Sequence, residues 1–294
     1  MIIKNAIKNQ SYKIYFNINL KKYLNNLIKK YYKVAIITDE NVYKIYKEKI
    51  NIKGLDILRV KPGEKSKSFT VKNSLDEKLL EKKFNRNSLI IGFGGGVVGD
   101  LSGYVAATIL RGIDLVHIPT SLIAIVDSSI GGKTGINSKN GKNLIGSFYN
   151  PKEILINSEF INTLSLKEIR QGLSEIIKYG VIKNEKIFNI LEKSNKVFMQ
   201  NHMKNIDKII KECIKIKIDT VEKDFKENDL RSILNFGHTI GHALEKKYSY
   251  KFSHGDCIGT GMAIESLIAN NIYKLSTKNF SRILKLLDKF RNIL

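Results

Sequence analysis

Cysteine, proline and tryptophan are scarce in this sequence of 294 residues, which contains two Cys, three Pro and no Trp. Two cysteines, Cys213 and Cys257, cannot build a disulfide framework, and their scarcity favours a reducing compartment. No apolar run approaches the ~20 residues that a membrane-spanning helix requires. Lys and Asn interrupt the apolar residues at the N-terminus, which is not the pattern of a signal peptide. We therefore expect a cytoplasmic protein with no membrane partner.

Arginine is also scarce, because 7 Arg accompany 43 Lys in a chain whose formal net charge is +22. Planar, bidentate recognition of phosphates and bases favours arginine, and the basic stretches lack the interleaved aromatic residues typical of RNA-binding proteins. The lysines are spread over the whole chain, so we interpret most of this charge as a solvated surface and expect no nucleic-acid partner. The same excess should attract small anionic ligands.

Turn-forming residues are concentrated in the first half, where all three prolines and 14 of the 21 glycines lie at or before residue 151. Short apolar runs of strand type alternate there with helical stretches, which predicts βα units and a mainly parallel sheet. These runs lie at 34–38, 55–60, 88–93, 114–119 and 153–157. The first domain is therefore predicted to be α/β and to cover residues 1–166.

After about residue 165, apolar residues recur at three- and four-residue spacing, which is typical of helices. Ser165 and Glu168 form a capping-box pattern at the start of the first helix. We therefore predict an all-helical second domain over 167–294. The predicted helices cover 165–182, 185–200, 203–224 and 233–248.

A glycine-rich segment, GFGGGVVGD at 92–100, joins a strand-type run to a helical stretch. Gly94, Gly96 and Gly99 have the G-x-G-x-x-G spacing, which lets the backbone approach a pyrophosphate at a helix N-terminus. A tight turn that needs glycine for a positive φ would explain the same residues without a ligand. Asp100 stands at the helix start and no clear acidic residue closes the following strand, so Asp39 is the better candidate for a ribose contact. The segment predicts a variant nucleotide-binding domain.

The next segment, residues 111–151, combines Gly and Ser with the polar residues Arg111, Asp127, Lys133, Lys142 and Asn143. Its GGK and NGKN sequences are typical of loops. Lys and Asn in such loops bind phosphate and sugar hydroxyls as point charges and amide donors. The alternative is that these lysines are ordinary surface residues.

Three of the five histidines, His238, His242 and His254, fall within 17 residues. His238 and His242 are four residues apart and share a face if they lie on a helix. Upstream, Glu175 and Lys178 are three residues apart among apolar neighbours. Imidazoles with one carboxylate suit a catalytic zinc ion with an open coordination position, although paired histidines also occur on surfaces without a metal.

Several of these motifs occur together and in a fixed order: GGGVVGDLSGYVAAT, PTSLIAIVDSSIGGKTGIN, GKNLIGSFYNP, EIIKYG, LRSILNFGHTIGHALE and HGD. In these motifs the chain, from about residue 34 to about residue 265, closely resembles the 3-dehydroquinate synthase family. The resemblance implies a Rossmann-like NAD-binding domain followed by an all-α metal-binding domain, a fold related to that of the iron- or zinc-dependent glycerol dehydrogenases. It also implies a cytoplasmic homodimer.

The activity that the resemblance implies is that of a phosphate-eliminating lyase with NAD+ and Zn2+ (or Co2+) as cofactors. Its substrate is a small anionic sugar phosphate, 3-deoxy-D-arabino-heptulosonate 7-phosphate, and its products are 3-dehydroquinate and phosphate in the shikimate pathway. Transient oxidation by NAD+, phosphate elimination, re-reduction and intramolecular aldol closure are the implied steps.

Residue by residue, the resemblance implies Glu175, His238 and His254 as metal ligands, with His242 facing the substrate. The residues implied in NAD binding are Asp39, Asn41, Glu64, Lys67, Gly95, Gly96, Val97, Asp100, Thr120, Ser121, Asp127, Lys133, Lys142, Phe160 and Thr163. The residues implied in substrate binding and catalysis are Asp127, Lys133, Lys142, Asn143, Lys178, Lys217, Arg231, Asn235 and His242. Arg111 is implied to reach the phosphate site of the neighbouring subunit.

Relative to that family, we expect the domain over 167–294 to be short at its C-terminus, and the family's substrate-contacting lysine of that region has no visible equivalent in this sequence. Three alternatives stay open. One is another sugar-phosphate cyclase, such as a 2-deoxy-scyllo-inosose or valiolone synthase. The second is a polyol dehydrogenase of the related fold. The third is a truncated, inactive homologue that acts as a binding or dimerisation module.

Overall fold

The computed structural model describes residues 3–7, 10–194, 206–248 and 251–291. The chain folds into two compact units, Met1–Thr163 and Leu164–Leu294. In the described ranges, no helix combines the length and the apolar character needed to cross a membrane.

The first unit is built on a sheet of seven strands among the described residues: β1 (Ile3–Ile7), β2 (Gln10–Phe16), β3 (Val34–Asp39), β4 (Leu55–Val60), β5 (Leu89–Gly94), β6 (Asp114–Pro119) and β9 (Glu153–Ile156). Their order across the sheet is β1-β2-β9-β6-β5-β3-β4. β1 pairs antiparallel with β2, and the other pairings are parallel. This arrangement confirms the predicted α/β fold.

Four helices of this unit cover the two faces of the sheet: α1 (Leu20–Lys30), α2 (Glu40–Ile50), α3 (Phe69–Glu81) and α4 (Gly96–Thr108). Alternation along β3 decides which side chain meets which helices, because successive strand residues point to opposite faces. Val34 and Ile36 pack into one core with residues of α1 and α2. Ala35 and Ile37 pack into a second core with residues of α3 and α4. The residues of β5 are buried throughout, as expected for a central parallel strand.

An antiparallel hairpin, β7 (Lys133–Ser138) and β8 (Gly141–Phe148), forms a separate two-stranded sheet. The prediction that GGK and NGKN form loops is therefore wrong for Lys133 and for residues 141–143, which lie in the strands. Gly146 in β8 allows the two strands to pack closely, because a Cβ on this residue would lie 2.1 Å from the carbonyl oxygen of Thr134 in β7. Glycine in these strands thus permits close approach of two backbones.

The second unit is helical throughout its described secondary structure, as predicted. Its elements are α5 (Leu166–Ile182), α6 (Glu185–Lys193), α7 (Ile206–Lys223), a 3-10 turn (Leu230–Asn235), α8 (His238–Lys247), α9 (His254–Ile272) and α10 (Thr277–Arg291). The capping box at the start of α5 is confirmed, because the Ser165 hydroxyl accepts from the Glu168 N–H and the Glu168 carboxylate accepts from the Ser165 N–H. Residues 195–200 and 203–205 of the predicted helices lie outside the described part of the chain.

The continuous helix predicted over 233–248 is wrong in its first part, because the chain turns at Gly237 with φ of 80°. Only glycine adopts this conformation without strain. A Cβ there would lie 2.4 Å from Met262 Cγ and 2.8 Å from the carbonyl oxygen of Ile258. The break ends the 3-10 turn and starts α8 at His238.

Candidate functional site

The glycine turn lies where β5 meets α4. Gly95 is the N-cap of α4 and, as a glycine, it has no side chain to cap the first N–H groups of the helix. A Cβ on Gly95 would lie 3.2 Å from Ser121 Oγ, and one on Gly96 would lie 3.2 Å from Ser128 Oγ. The turn is therefore a cradle that larger side chains would fill, with helix N–H donors and Ser hydroxyls around it. Such a cradle fits the anionic pyrophosphate of a dinucleotide.

Lys67 lies at the centre of a polar network in the first unit, and its side chain is only 4% exposed. Its Nζ lies 2.6 Å from Asp100 Oδ2 and 3.9 Å from Glu64 Oε1, and it also donates to Asn143 Oδ1. Burial raises the pKa of Asp100 above its ordinary value, while Lys67 and, more weakly, Lys133 oppose the shift. The structure thus brings together four of the residues predicted to bind cofactor or substrate.

Asn137 holds this network together, and the sequence reasoning missed it. Its Nδ2 donates to Glu64 Oε1 at 2.8 Å, and its Oδ1 accepts from the Asn143 N–H at 2.9 Å. Its own N–H donates to the carbonyl oxygen of Lys67 at 2.8 Å. Asn143 has φ of 59°, so the bond from Asn137 supports a backbone conformation that is uncommon outside glycine. Asn137 ends the KTGIN motif, six residues before Asn143, and this position close to a candidate site residue could have indicated its role.

Asp39 and Asn41, both predicted at the NAD site, lie at the boundary between β3 and α2. Asp39 Oδ1 accepts from the N–H groups of Asn41 (2.9 Å) and Val42 (3.0 Å), so Asp39 caps α2. Asn41 is exposed. This boundary is at the carboxyl end of a parallel strand, where ligands of open α/β sheets bind.

Thr120, Ser121 and Asp127 follow β6 and border the glycine turn. The Thr120 N–H donates to the carbonyl oxygen of Gly94 at 3.0 Å. Ser121 Oγ accepts from the Ala124 N–H at 3.3 Å, and Asp127 belongs to the helical turn Ala124–Ser128. Val97 lies in the first turn of α4.

Phe160 is fully buried and packs edge-on against Tyr46 and Phe93, with ring centroids 5.0 and 5.7 Å away. Its side chain belongs to the hydrophobic core, so any ligand contact at this position uses main-chain atoms. Thr163 Oγ1 donates to the carbonyl oxygen of Phe160 at 2.9 Å and lies 2.8 Å from the Tyr46 hydroxyl.

Lys133, Lys142 and Arg111 lie outside the core of the first unit. Lys133 begins β7 and is exposed, and Lys142 is half-buried in β8. Arg111 is exposed in a turn where φ is positive at Leu110 (52°) and at Arg111 itself (67°).

In the second unit, Glu175 meets two imidazoles although they lie more than sixty residues away along the chain. Glu175 Oε1 lies 3.5 Å from His238 Nε2 and 3.4 Å from His254 Nε2. One donor atom from each of the three residues lies within 4.8 Å of the others. One carboxylate and two imidazoles at this spacing are a donor set that fits a divalent metal ion of the zinc type.

Three helices supply this cluster, which we call the Glu–His–His cluster: α5 carries Glu175, while α8 and α9 begin with His238 and His254. The Gly237 turn starts α8, and Ser253 caps α9 by accepting from the Asp256 N–H. Both histidines therefore have positions fixed by helix initiation, and Glu175 is fixed by the buried face of α5.

Charge controls the ionisation of Glu175. Burial raises its pKa, but the Lys178 ammonium and the imidazoles of His238 and His254 lower it, and the net pKa lies well below the ordinary value. Lys178 Nζ forms an ion pair with Glu175 Oε2. The carboxylate is therefore ionised at neutral pH, as a metal ligand must be.

Three basic side chains predicted to contact the substrate, Lys178, Lys217 and Arg231, are buried in this unit. They come from α5, α7 and the 3-10 turn, which contact one another. Arg231 Nη1 donates to the carbonyl oxygen of Phe225 at 2.6 Å. Asn235 is exposed, and its Nδ2 donates to Glu227 Oε1 at 2.9 Å.

His242 lies one turn after His238 on α8, and its side chain is 60% exposed. It belongs to a second group of close donor atoms, with Glu245 and His254. The sequence reasoning did not single out Glu245, which is buried and whose Oε1 lies 3.5 Å from His254 Nδ1. Its spacing of seven residues from His238, two helical turns, could have indicated that it shares the face of that ligand.

Two protein-family models match consecutive parts of the chain. The model described as 3-dehydroquinate synthase N-terminal matches residues 57–171, and the one described as 3-dehydroquinate synthase C-terminal matches residues 172–293. Among curated proteins, the 3-dehydroquinate synthase of Dictyoglomus thermophilum is 45% identical over 96% of this chain and 79% of that protein.

Solved structures show the same fold. A valiolone-type enzyme, ValA (2-epi-5-epi-valiolone synthase) from Streptomyces hygroscopicus subsp. jinggangensis with NAD+ and Zn2+ bound, has a TM-score of 0.89 at 23% identity, covering 98% of this chain and 83% of that one. A 2-deoxy-scyllo-inosose synthase complexed with carbaglucose-6-phosphate, NAD+ and Co2+ has a TM-score of 0.85 at 23% identity, covering 100% of this chain and 84% of that one. At this level of identity the likeness is one of fold.

Proposed function

The chain belongs to the 3-dehydroquinate synthase family, and from that premise we propose that it converts 3-deoxy-D-arabino-heptulosonate 7-phosphate to 3-dehydroquinate and phosphate. The proposal makes the chain an NAD- and metal-dependent lyase of the shikimate pathway. The observation that carries it is the Glu–His–His cluster, whose three donor atoms lie within 4.8 Å of one another in the unit that the family's C-terminal model matches.

In this proposal Glu175, His238 and His254 hold a divalent metal ion, and the cradle at Gly95 and Gly96 holds the NAD+ pyrophosphate. When bound, the metal would polarise substrate oxygens and NAD+ would accept and return a hydride, so that NAD+ is regenerated in each turnover. The ionised Glu175 supplies the negative charge that balances the metal, and Lys178 keeps that carboxylate oriented through its ion pair. His238 Nε2 and His254 Nε2 lie 3.5 and 3.4 Å from Glu175 Oε1, so these three atoms would be the ones that bind the ion.

The chain's own cations would bind the anionic ends of the substrate. In the first unit, Lys133 offers an exposed ammonium group and Asn143 an exposed amide group. In the second unit, the side chains of Lys178, Lys217 and Arg231 are buried. Buried cations bind anions strongly because water competes poorly there. His242, on the exposed face of α8, would contact the substrate rather than the metal.

The remaining roles extend this assignment. Asp39 and Asn41 would bind the ribose from the carboxyl end of β3. The network of Glu64, Lys67 and Asp100 would fix the loops around the cofactor. We further propose zinc as the resident metal and a cytoplasmic homodimer, in which Arg111 extends from its exposed turn toward the neighbouring subunit.

Phosphate release from the heptulosonate substrate tests the proposal. With NAD+ present, the protein should release phosphate without net accumulation of NADH, a chelator should abolish the release, and added Zn2+ or Co2+ should restore it. Net NADH formation would instead indicate a polyol dehydrogenase. Cyclisation of a different sugar phosphate, with no 3-dehydroquinate formed, would indicate another cyclase, and no turnover of either class by metal-loaded protein would indicate an inactive homologue.

A further inference from the structure

His254 lies between two carboxylates. Its Nε2 is 3.4 Å from Glu175 Oε1, and its Nδ1 is 3.5 Å from Glu245 Oε1. Glu245 is only 7% exposed and lies on α8, whereas His254 begins α9. The two helices pack against each other, so the carboxylate faces the imidazole ring from a neighbouring element.

The other imidazole of the cluster shows the same division between its two nitrogens. His238 directs Nε2 toward Glu175 and places Nδ1 3.2 Å from the carbonyl oxygen of Phe236. An oxygen acceptor at Nδ1 favours the tautomer whose proton is on Nδ1 and whose Nε2 carries a free lone pair. Metal-binding histidines are commonly oriented in this way by a carboxylate or main-chain carbonyl behind the ring. For His238 the acceptor comes from the main chain, and for His254 it comes from Glu245.

We propose that Glu245 is a positioning residue, which accepts the Nδ1 proton of His254 in a hydrogen bond and so turns Nε2 toward the metal position at Glu175. This inference rests on the proposed metal site. Glu245 itself contributes no bond to the metal in this arrangement. Its carboxylate fixes the ring orientation and the tautomer of His254 and increases the basicity of Nε2.

A competing arrangement would use Glu245 as a direct ligand of a second cation together with His242 and His254, because their donor atoms also lie close together. His242 is mostly exposed, and its Nε2 is 4.0 Å from Glu245 Oε2. Such a cation would have to bind His254 Nδ1, while Nε2 of the same ring faces Glu175. The buried carboxylate of Glu245 lies closer to His254 (3.5 Å) than to the exposed His242 (4.0 Å). This difference favours the positioning role, and metal stoichiometry separates the two arrangements.

The test measures Zn2+ and Co2+ affinity of the full chain by competition with a chelator, together with the visible absorption spectrum of the Co2+ form. Glu245→Ala should bind each metal about 10- to 100-fold more weakly and should alter the Co2+ spectrum, with one metal per chain in both proteins. Glu245→Gln keeps an acceptor oxygen at the same place and should recover part of the affinity. The control is Glu212→Gln, which removes the same charge from α7, where Glu212 pairs with Lys215 at 2.8 Å, and should leave metal affinity unchanged.

Wild-type affinity and spectrum in Glu245→Ala would overturn the inference while leaving the metal site intact. Two metals per chain in the wild type and one in Glu245→Ala would make Glu245 a ligand and would also overturn it. A wild-type protein that binds neither metal would overturn the proposed metal site, and the inference with it. Should Glu245→Ala fail to fold by circular dichroism, Glu245→Gln decides, because an unchanged affinity and spectrum there would contradict the inference.

Discussion

Lys67 Nζ lies 2.6 Å from Asp100 Oδ2, although the two residues are 33 positions apart in the chain. The pair links the segment that follows β4 to the first turns of α4, next to the glycine cradle. Because the ammonium group is buried and also donates to Asn143, the pair fixes three separate segments of the first unit at once.

Replacing Lys67 should therefore destabilise the first unit. In Lys67→Met the carboxylate of Asp100 loses its main cationic partner, and breaking a buried pair in this way typically costs about 3 kcal/mol. Urea unfolding should show a loss of that order. Adding Asp100→Asn should recover part of the loss, because it removes the stranded charge. A double variant no more stable than Lys67→Met would contradict the pairing.

The cradle at the start of α4 makes a specific prediction about its glycines. Gly96→Ala should weaken NAD+ binding about tenfold or more, equivalent to ~1.4 kcal/mol, because the added Cβ enters the space beside Ser128. Gly99→Ala is the matched control, since a Cβ there meets only His117 Cε1 at 3.9 Å. It should bind NAD+ normally and should gain up to about 1 kcal/mol of stability from helix propensity. Equal effects of the two substitutions in a titration would contradict the cradle.

Lys133 is expected to bind the phosphate end of the substrate. Because its side chain is exposed at the start of β7, Lys133→Ala should fold normally and keep its metal content. The loss of a charge-assisted hydrogen bond, about 1.5–3 kcal/mol, should raise KM for the heptulosonate substrate at least tenfold. Lys139→Ala, an exposed lysine in the same hairpin, should leave KM unchanged. Loss of metal from Lys133→Ala would show that the assignment is wrong.

His117 gives the first unit a dependence on pH. It is buried in β6 opposite Gly92, and its Nδ1 has no hydrogen-bond partner among the described residues. Burial lowers the pKa of His117 to about 4, whereas an unfolded histidine has a pKa of about 6.5. The unfolded chain therefore binds more protons between these values, so stability is full above pH 6.5 and falls by about 3 kcal/mol as pH drops toward 4.

Unfolding free energies measured across this pH range should show that loss, and His117→Leu should remove most of it. Leucine has no titrating group and, at this position, strands no hydrogen-bond partner in the part of the chain that the structure describes. If the free energy of unfolding of His117→Leu depended on pH as in the wild type, groups other than His117 would cause the loss.

The sequence predicted the elements whose signals are local. The five apolar runs became β3, β4, β5, β6 and β9, and Ser165 with Glu168 formed the expected capping box. In the glycine motif, local spacing indicated the turn at Gly96. It also suggested that Gly99 must be glycine, although a Cβ there would meet only His117 Cε1 at 3.9 Å. Gly103 rather than Gly99 is required for close packing, because a Cβ at Gly103 would lie 2.3 Å from Thr134 Cγ2 in β7.

Contacts between distant segments were beyond local patterns. Asn137 acts through hydrogen bonds to Glu64 and Asn143, and Glu245 faces His254 on the next helix. Because these contacts join separate elements of the fold, the residue type of Asn137 or Glu245 does not by itself reveal either role. The break at Gly237 was missed because the apolar spacing of 233–248 continues through it. Its reason is tertiary, since α9 approaches the backbone there too closely for a side chain.

In the proposed metal site, Glu175, His238 and His254 together hold one divalent metal ion. Crystals grown with Zn2+ and NAD+ and measured at the zinc absorption edge test it directly. We expect one anomalous peak per chain, about 2.0–2.2 Å from a Glu175 carboxylate oxygen and from the Nε2 atoms of both histidines. A peak bound instead by His242 and Glu245, or no peak at these side chains in zinc-saturated crystals, would contradict it.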